Sequence, residues 1–418
     1  MSLTEFFRKP RPDALTWLQA HTQKKSTRFW FLFLISFSVV SHLLGRLVKG
    51  KWWMNDFDAL ICGADYMRRG LSPYVHEPVC EGLKAAPYVY APQIGAFLRP
   101  VIEVTGLTGA RWLYAPFLIA ALLVIAWYGL KRSFPNLPLH IRLLGYTIVS
   151  GSAVSCGNIA VICHAAAIGT ALMIRHTRLP FLLVVLVSSI IKPVFLTYLI
   201  VLMYDARPLR SRLVWSAAGA AIGIGLYVWI SRTAGPLYEV WQKIIYDITL
   251  IEQPGYTFLA WAEWIGLRAD QPATLIAFAV YFPIMALAGL LLCDLGKLSL
   301  DTRILIGLGM AQLINPRMMS YDMLFLPTML AAVVMVGRDY GERTYSQVSW
   351  TFLWIGVAGF FMAVLPIKDF KPADIMSPAF VALVLWVSLI VIRQNKDVIQ
   401  KTLQNPKPFL GDIIQGRL

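Results

Sequence analysis

The sequence predicts an all-α integral membrane protein, a single bundle of transmembrane helices. Hydrophobic residues make up 57% of the 418-residue chain and charged residues only 15%, and the mean hydropathy is +0.61. A soluble domain is closer to about 25% charged. The apolar residues fall in runs of roughly 17–25, the length that crosses a bilayer as helix. Runs of this length predict about 11–13 spans and leave no room for a separate soluble domain of ordinary size.

The basic residues indicate how the chain is oriented. Lys and Arg flank the segments that stay in the cytoplasm, and residues 1–28 and the tail after residue 394 are basic. We therefore expect a cytoplasmic segment at 1–28, one membrane domain at 29–394 and a cytoplasmic tail at 395–418. The protein would lie in the cell membrane, with the 50–88 and 232–270 loops outside. Because topology accounts for the net charge of +15, we predict no nucleic-acid partner.

Apolar periods and polar breaks divide the membrane domain into elements. Residues 89–104 hold two prolines and an arginine, so we interpret them as a short interfacial or re-entrant piece. Aromatic residues predict short interfacial helices at 66–74 and 75–87 in the first outer loop. Residues 179–204 read as a hairpin broken at Lys192-Pro193, which keeps both ends inside. The remaining predicted spans are 29–48, 112–130, 143–156, 159–174, 213–231, 273–293, 303–314, 323–337, 349–366 and 377–393.

The first outer loop carries two acids just beyond the first span. Asp56 and Asp58 should lie near the membrane surface, where a carboxylate is able to act as general base on a hydroxyl presented at the interface. The alternative is that both are solvated acids near the start of a helix. The residue types alone leave both interpretations open.

Three further breaks place polar groups where predicted spans end near the outer leaflet. A charged group at membrane depth is expensive and is a functional candidate by default. Lys192 and Arg317 are predicted to bind an anionic headgroup such as a phosphate. The alternatives are that Lys192 snorkels at a hairpin tip, that Arg317 caps a turn and that Asn158 caps a helix. The breaks are Gly157-Asn158, Lys192-Pro193 and Asn315-Pro316-Arg317.

The five cysteines and six histidines give no metal-binding pattern. The cysteines of the apolar segments, Cys156, Cys163 and Cys293, are expected to pack as small hydrophobic residues. Cys62 and Cys80 share the first outer loop, where a disulfide forms only in an oxidising compartment. The sequence leaves that pairing open.

Several short motifs, taken in order, resemble glycosyltransferase family 87, a family of the C-type, polyprenyl-phosphate-dependent glycosyltransferases. One departure is Cys156-Gly157-Asn158, which lacks the Gln that the family has between Gly and Asn; another is Ala59-Leu60, where the family often has Val-Tyr. The similar motifs lie between about residues 50 and 330 and are Asp56-Phe57-Asp58, Gly70-Leu71-Ser72-Pro73-Tyr74, Tyr90-Ala91-Pro92, Gly157-Asn158-Ile159, Ile191-Lys192-Pro193 and Asn315-Pro316-Arg317 with Tyr321-Asp322.

The resemblance implies a C-type fold and the transfer of a hexosyl residue, such as mannose, on the outer face of the membrane. The donor would be a polyprenyl-phosphate sugar, the acceptor a lipid-linked or glycan hydroxyl, and neither a cofactor nor a nucleotide donor would be needed. Asp56 is the implied base, with Asp58 as the second catalytic candidate. The implied substrate-binding residues are Lys192, Arg317, Asn158, Asn315, Tyr74, Tyr90, Tyr321 and Asp322.

A transporter or flippase for a lipid-linked or anionic substrate is the competing interpretation. Broken helices with charged tips also build transport sites. In that case Lys192 and Arg317 would bind the substrate and Asp56 would be incidental. Depth distinguishes the two, because transport sites lie near the middle of the bilayer, whereas these breaks are predicted toward one face.

Overall fold

The computed structural model describes residues 12–50, 52–133, 142–143, 151–365 and 372–404, and every regular element within them is a helix. The predicted all-α class is therefore confirmed for this part of the chain. The α-helices are Ala14–His21, Lys25–Val48, Asn55–Arg68, Pro92–Trp127, Ser152–Ser155, Ala160–Ala171, Leu179–Ile191, Leu199–Met203, Leu209–Thr233, Tyr238–Ile245, Phe258–Trp264, Pro272–Leu295, Leu300–Leu313, Leu326–Arg338, Glu342–Val364, Pro372–Gln394 and Lys396–Gln404.

Several of these helices are long and apolar enough to cross a bilayer. Among the described residues there are 4, or 5 if the bent pair Lys25–Phe37 and Val39–Val48 counts as one span. This number is lower than the predicted 11–13, because several predicted spans correspond to helices too short to cross a bilayer alone, such as Ala160–Ala171, Leu179–Ile191 and Leu300–Leu313. Residues 144–150 of the predicted span 143–156 lie outside the described residues. The 4 long helices are Pro92–Arg132, Leu209–Thr233, Pro272–Leu295 and Met376–Gln394.

The first outer loop is organised differently from the prediction. Its helix is Asn55–Arg68, and residues 71–90 contain no helix, so the interfacial helices predicted at 66–74 and 75–87 are wrong. The apolar sequence Phe57 to Ala64 explains the difference, because these residues are buried and not held at a surface. The helix then packs against the helix that begins at Pro92, where proline suits the first turn.

The predicted short piece at 89–104 is the first part of a longer element. A helix runs from Pro92 to Trp127, and its backbone leaves helical geometry at Gly106, where φ is 66° and ψ is 175°. That conformation is open to glycine and costly for other residues. The break therefore lies at Gly106, beyond the predicted end of the piece, and the remainder covers most of the predicted span 112–130.

The hairpin predicted at 179–204 is confirmed as a shape. The helix Leu179–Ile191 leads to Lys192, which is extended, and a 3₁₀ helix and a short α-helix bring the chain back. At the base of the hairpin Arg178 Nε donates to Asp205 Oδ2 at 2.7 Å, so the two arms begin and end at one level. Lys192 lies at the tip.

Small residues let the helix Leu209–Thr233 pack closely along both arms of the hairpin. A Cβ at Gly219 would lie 2.8 Å from Leu182 on one arm and 2.7 Å from Leu199 on the other. Close approach through glycine is typical of helix packing in membranes, where van der Waals contact replaces the hydrophobic effect between helices. The long helix therefore holds the two arms together.

Charged pairs close the end of the bundle where the hairpin begins. The guanidinium of Arg212 contacts Asp294 at 2.9 Å, and Arg303 contacts the same carboxylate at 2.6 Å. Arg303 also donates to the carbonyl oxygens of Tyr204 and Asp205. We call Arg178, Asp205, Arg212, Asp294 and Arg303 the basal network. It fixes the hairpin arms to the helices Leu209–Thr233 and Leu300–Leu313.

The basal network yields a stability prediction. Arg178→Gln removes the closest cation of the buried Asp205 and leaves Arg207 Nε at 3.9 Å. Breaking a buried ion pair costs about 3–5 kcal/mol, so thermal unfolding in detergent should shift strongly. Arg175→Gln is the matched control, since Arg175 pairs with Asp301 at an exposed position and should cost less than about 1 kcal/mol. Equal losses for the two variants would mean that the buried pair does not hold the hairpin base.

Candidate functional site

The four polar breaks, far apart in the sequence, meet at one place in the bundle. A continuous path of side-chain hydrogen bonds runs from Asp56 through Asn158 and Lys192 to Tyr321. The break at 315–317 joins them by its charge, since Arg317 acts electrostatically on both Asp56 and Lys192. We call Asp56, Asn158, Lys192 and Tyr321 the polar cluster. It lies at the hairpin tip, away from the basal network.

A close approach of two backbones builds the first half of the cluster. Met54 N donates to Ser155 O at 2.9 Å, and Asp56 N donates to Cys156 O at 3.0 Å. Gly157 has φ of 68°, and a Cβ there would lie 2.9 Å from the Met54 Cα. Only glycine allows this approach without strain. The Gly157-Asn158 break therefore places Asn158 directly beside the start of the helix Asn55–Arg68.

The carboxylate of Asp56 is held by two amide side chains. Asn55 Nδ2 donates to Oδ1 at 3.1 Å and Asn158 Nδ2 donates to Oδ2 at 2.7 Å. Burial raises the pKa of Asp56 above its usual range, while the hydrogen bond from Asn158 and the charges of Lys192 and Arg317 act to lower it. A partly desolvated, oriented carboxylate of raised pKa is what general-base chemistry requires.

Asn158 occupies both of the roles that the sequence left open. Its Oδ1 accepts from Ala160 N at 3.0 Å, which satisfies a backbone donor at the start of the helix Ala160–Ala171. The same oxygen accepts from Lys192 Nζ at 2.8 Å, while Nδ2 binds Asp56. The side chain thus caps a helix and links an acid to a base.

The ammonium of Lys192 lies among polar and aromatic groups. Besides Asn158 it donates to Tyr321 Oη at 3.1 Å. Its Nζ lies 4.5 Å from the ring centroid of Tyr321 and 5.9 Å from that of Tyr90, at distances typical of cation–π contacts. Across the described ranges no carboxylate comes within ion-pair distance of Lys192. The hydroxyl and the ammonium therefore form two neighbouring hydrogen-bond donors with a cationic centre.

Asp58 does not join the cluster. Its side chain is fully buried, lies 3.0 Å from Arg111 Nε and accepts from the indole of Trp52. Burial raises its pKa to about 6, while the hydrogen bond from Trp52 and the charge of Arg111 act to lower it. Two residues along a helix point to nearly opposite faces, which explains why Asp56 and Asp58 separate. Of the two predicted catalytic acids, only Asp56 joins the polar cluster, and its catalytic role stays a prediction.

Two predicted substrate-binding residues have structural contacts instead. Tyr74 is buried and its hydroxyl donates to the carbonyl of Tyr90 at 2.9 Å, which fixes the position of the Tyr90 backbone. Asn315 is buried, and its Oδ1 accepts from Arg317 N at 2.9 Å, so it closes a turn. Both side chains make these contacts within their own loops and neither touches the polar cluster, so their part in substrate binding stays a prediction.

Arg317 is held at one nitrogen and open at the others. Its Nε donates to Gln253 O at 2.7 Å, while its two terminal amino groups have no hydrogen-bond partner in the part of the chain that the structure describes. Met318 N donates to the hydroxyl of Thr257 at 3.0 Å, and Tyr256 N donates to Met318 O at 2.8 Å. The segment from Gln253 to Thr257 thus supports Arg317 on one side and leaves the four terminal N–H groups of its guanidinium for a ligand.

Behind the cluster lies a buried polar network that the sequence analysis missed. His164 Nε2 lies 2.8 Å from Asp322 Oδ1, and His164 Nδ1 lies 2.7 Å from Tyr198 Oη. Tyr198 also accepts from Gln312 Nε2 at 2.5 Å, and Asp322 Oδ2 accepts from Met319 N. Asp322 thus anchors the turn that carries Tyr321. A histidine within an apolar segment was the available signal, since polar residues at that depth are costly.

Three of the five cysteines are buried as predicted, and the other two form the disulfide that the sequence left open. Cys156, Cys163 and Cys293 are buried free thiols. Cys62 and Cys80 form a disulfide with a Cα–Cα distance of 5.8 Å. The bond links the helix Asn55–Arg68 to the irregular segment that leads to Tyr90. It therefore joins the two parts of the first outer loop that contribute to the cluster.

No protein-family model matches the chain, and comparison with curated proteins and with solved structures gives no match either.

The buried network yields a coupling prediction. His164→Leu and Asp322→Leu should each lower the free energy of unfolding, and the double variant should lose less than the sum by about 0.5–3 kcal/mol, because the two side chains share one contact. Ser349→Ala is the control partner for His164→Leu, because the Ser349 hydroxyl contacts Ala14 N and Ser346 O and not the buried network, and it should add within about 0.5 kcal/mol. Additivity of His164 with Asp322 in chemical denaturation would contradict the contact.

Proposed function

We propose that the protein is a membrane glycosyltransferase that moves a hexosyl residue from a polyprenyl-phosphate donor to the hydroxyl of a lipid-linked or glycan acceptor. The observation that carries the proposal is the convergence of Asp56 and Lys192. A carboxylate with raised pKa and a cation lie one asparagine apart, at the breaks that resemble glycosyltransferase family 87.

The residues supply the two functions that a direct transfer needs. The acceptor oxygen attacks the anomeric carbon, its proton passes to Asp56, and the bond between that carbon and the phosphate oxygen breaks. The electron pair of the broken bond stays on the departing phosphate. Lys192, the Tyr321 hydroxyl and the open N–H groups of Arg317 would stabilise the phosphate charge.

The amide contacts explain how acid and cation remain neighbours without neutralising each other. A direct ion pair would satisfy both groups and leave neither for substrate. Asn158 keeps them apart by donating to the carboxylate and accepting from the ammonium. Each carboxylate oxygen keeps a further lone pair, and the ammonium keeps a third N–H. Both remain available to substrates.

The cluster lies near the middle of the neighbouring long helix, a depth that suits a substrate delivered through the lipid. Thirteen residues of helix separate the basal network from Lys192, about 20 Å at ~1.5 Å per residue. The neighbouring helix Leu209–Thr233 has 25 residues and is therefore roughly 37 Å long. The hairpin tip thus lies beyond the middle of that helix and short of its end. A donor lipid entering sideways from one leaflet could reach this depth.

The sidedness that we propose has the cluster facing the outer compartment of the cell membrane. The helix Ala14–His21, expected on the cytoplasmic side before the first span, contacts the helix Glu342–Val364, whose first turn contains Arg343. Ala14 N donates to Ser349 Oγ, and the ring centroids of Trp17 and Trp350 lie 5.5 Å apart. The disulfide Cys62–Cys80 lies in the loop at the other side of the first span. Disulfides persist in oxidising compartments, which agrees with an outer position for that loop.

The first prediction of this proposal separates the two acids. Asp56→Asn should cut sugar transfer by about 10²-fold or more, because the amide cannot accept the proton, while binding of a polyprenyl-phosphate probe stays intact. In the wild type, transfer should fall as the pH decreases through the raised pKa of Asp56, since protonation removes the base.

Asp58→Asn is the matched control. It should lower thermal stability by weakening the pair with Arg111 and should retain far more activity per folded molecule than Asp56→Asn. If Asp56→Asn stays active while a well-folded Asp58→Asn protein is inactive, the base is Asp58 and the assignment to Asp56 is wrong.

The second prediction concerns the donor phosphate. Lys192→Gln and Arg317→Gln should each weaken photocrosslinking by a polyprenyl-phosphate probe and slow transfer, because each removes a donor from the departing group. The double variant should lose less than the sum, since both serve one phosphate. Arg268→Gln, exposed in the same outer region and paired with Asp270, is the control and should change neither readout.

Undiminished labelling and turnover in the double variant would remove the phosphate site from the cluster. Lipid movement across the membrane by wild-type protein without any sugar transfer would favour the transporter.

A further inference from the structure

A groove separate from the polar cluster lies at the C-terminal end of the helix Leu209–Thr233. The groove, of about 560 Å³, is lined by Tyr227, Val228, Ser231, Arg232, Gly235 and Tyr238. None of these residues belongs to the polar cluster. The groove sits where the long helix ends and the chain turns at Gly235, whose φ is 60°, toward the helix Tyr238–Ile245.

The groove contains polar groups whose hydrogen-bonding capacity is unused. Within the described ranges Ser231 Oγ is buried and has no hydrogen-bond partner, and Arg232 forms no ion pair. Gln93 Oε1, on the adjoining helix, is buried and unpartnered as well, although its Nε2 donates to Ile230 O and to Thr233 Oγ1. Unsatisfied buried polar atoms are uncommon and call for a ligand or water.

The surroundings favour a lipid over a soluble ligand. The helix below the groove is a candidate membrane span, and only 17% of its most apolar window is buried inside the protein. Its outward side chains include Ile222, Ile224 and Trp229, all largely exposed. A lipid tail would cover these side chains while its headgroup occupied the groove, and Arg232, the cation among the lining residues, favours an anionic headgroup.

Aromatic contacts connect the groove to the polar cluster. The ring centroids of Tyr227 and Tyr238 each lie 6.4 Å from that of Trp241, which is buried. Trp241 Nε1 donates to Val89 O at 3.2 Å, and the next residue, Tyr90, faces Lys192 at 5.9 Å. A headgroup in the groove would therefore be separated from the cluster only by this aromatic wall.

We propose that this groove binds the phosphate-bearing headgroup of an outer-leaflet anionic lipid, and that this lipid is the sugar acceptor. Arg232 would bind the phosphate, and Ser231 and the two tyrosines would contact the hydroxyl-rich part of the headgroup. Naming the lipid as acceptor rests on the proposed function, whereas binding of the anionic lipid does not. Lys192 and Arg317 are reserved for the donor, so a transfer between two lipids needs a second place for a phosphate.

The test uses the full-length protein in nanodiscs and photoactivatable phosphatidylglycerol or phosphatidylcholine, with labelled peptides mapped by mass spectrometry. The anionic probe should label residues 227–238 more than the zwitterionic probe. Arg232→Gln should reduce that labelling about tenfold, Arg232→Lys should retain much of it, and Ser231→Ala should reduce it less. Arg268→Gln, an exposed outer arginine away from the groove, should leave it unchanged.

A second readout isolates the acceptor assignment. In a transfer assay Arg232→Gln should raise the KM for an anionic acceptor lipid while kcat and probe labelling by the donor are kept. Equal labelling by both probes, or labelling that Arg232→Gln does not change, would overturn the lipid site. An unchanged acceptor KM despite reduced labelling would overturn the acceptor assignment. If the wild-type protein is labelled as expected but transfers no sugar, the proposed function is wrong and the lipid site is still supported.

Discussion

The side chain of Asn158 is the contact on which the candidate site depends. One amide accepts from a helix backbone and from the ammonium of Lys192, and donates to the carboxylate of Asp56. These three bonds tie together the first outer loop, the helix Ala160–Ala171 and the hairpin tip. In a low-dielectric interior an acid and a base in direct contact would neutralise each other. The neutral amide gives them fixed positions while preserving their separate chemistry.

Other contacts of the fold hold the Asn158 side chain and its hydrogen-bond partners in position. Gly157 lets the Met54 backbone come close enough for Asp56 to meet Asn158. The aromatic wall of Tyr74, Tyr88 and Tyr90 closes the same side, and the network around His164 supports Tyr321 from below. Each of these supports is buried and hydrogen-bonded, which is how positions are fixed to within a fraction of an ångström.

The sequence predicted the helical class, the breaks at Gly157-Asn158 and Lys192-Pro193 and the hairpin, because composition and proline act locally. It also singled out Asn158 and Lys192, since polar residues between apolar segments stand out, while Asp56 came from its loop position and the family resemblance and Tyr321 from the resemblance alone. It did not separate the surroundings of Asp58 from those of Asp56, because it placed the helices of this loop at 66–74 and 75–87 and none across these two acids. His164 and the groove around Arg232 depend on contacts between distant segments, and neither periodicity nor spacing contains that information.

The hairpin has a consequence for how this chain can vary. Its base is fixed by the pair Arg178 and Asp205, and its tip places Lys192 in the cluster. The length of the arm between them therefore sets the position of the Lys192 ammonium. The apolar residues of the arm face neighbours that tolerate exchanges of similar volume. Adding or removing one residue is different, because it would turn the tip by about 100° and move it ~1.5 Å along the axis. Selection on this segment should therefore preserve its length more strictly than its composition.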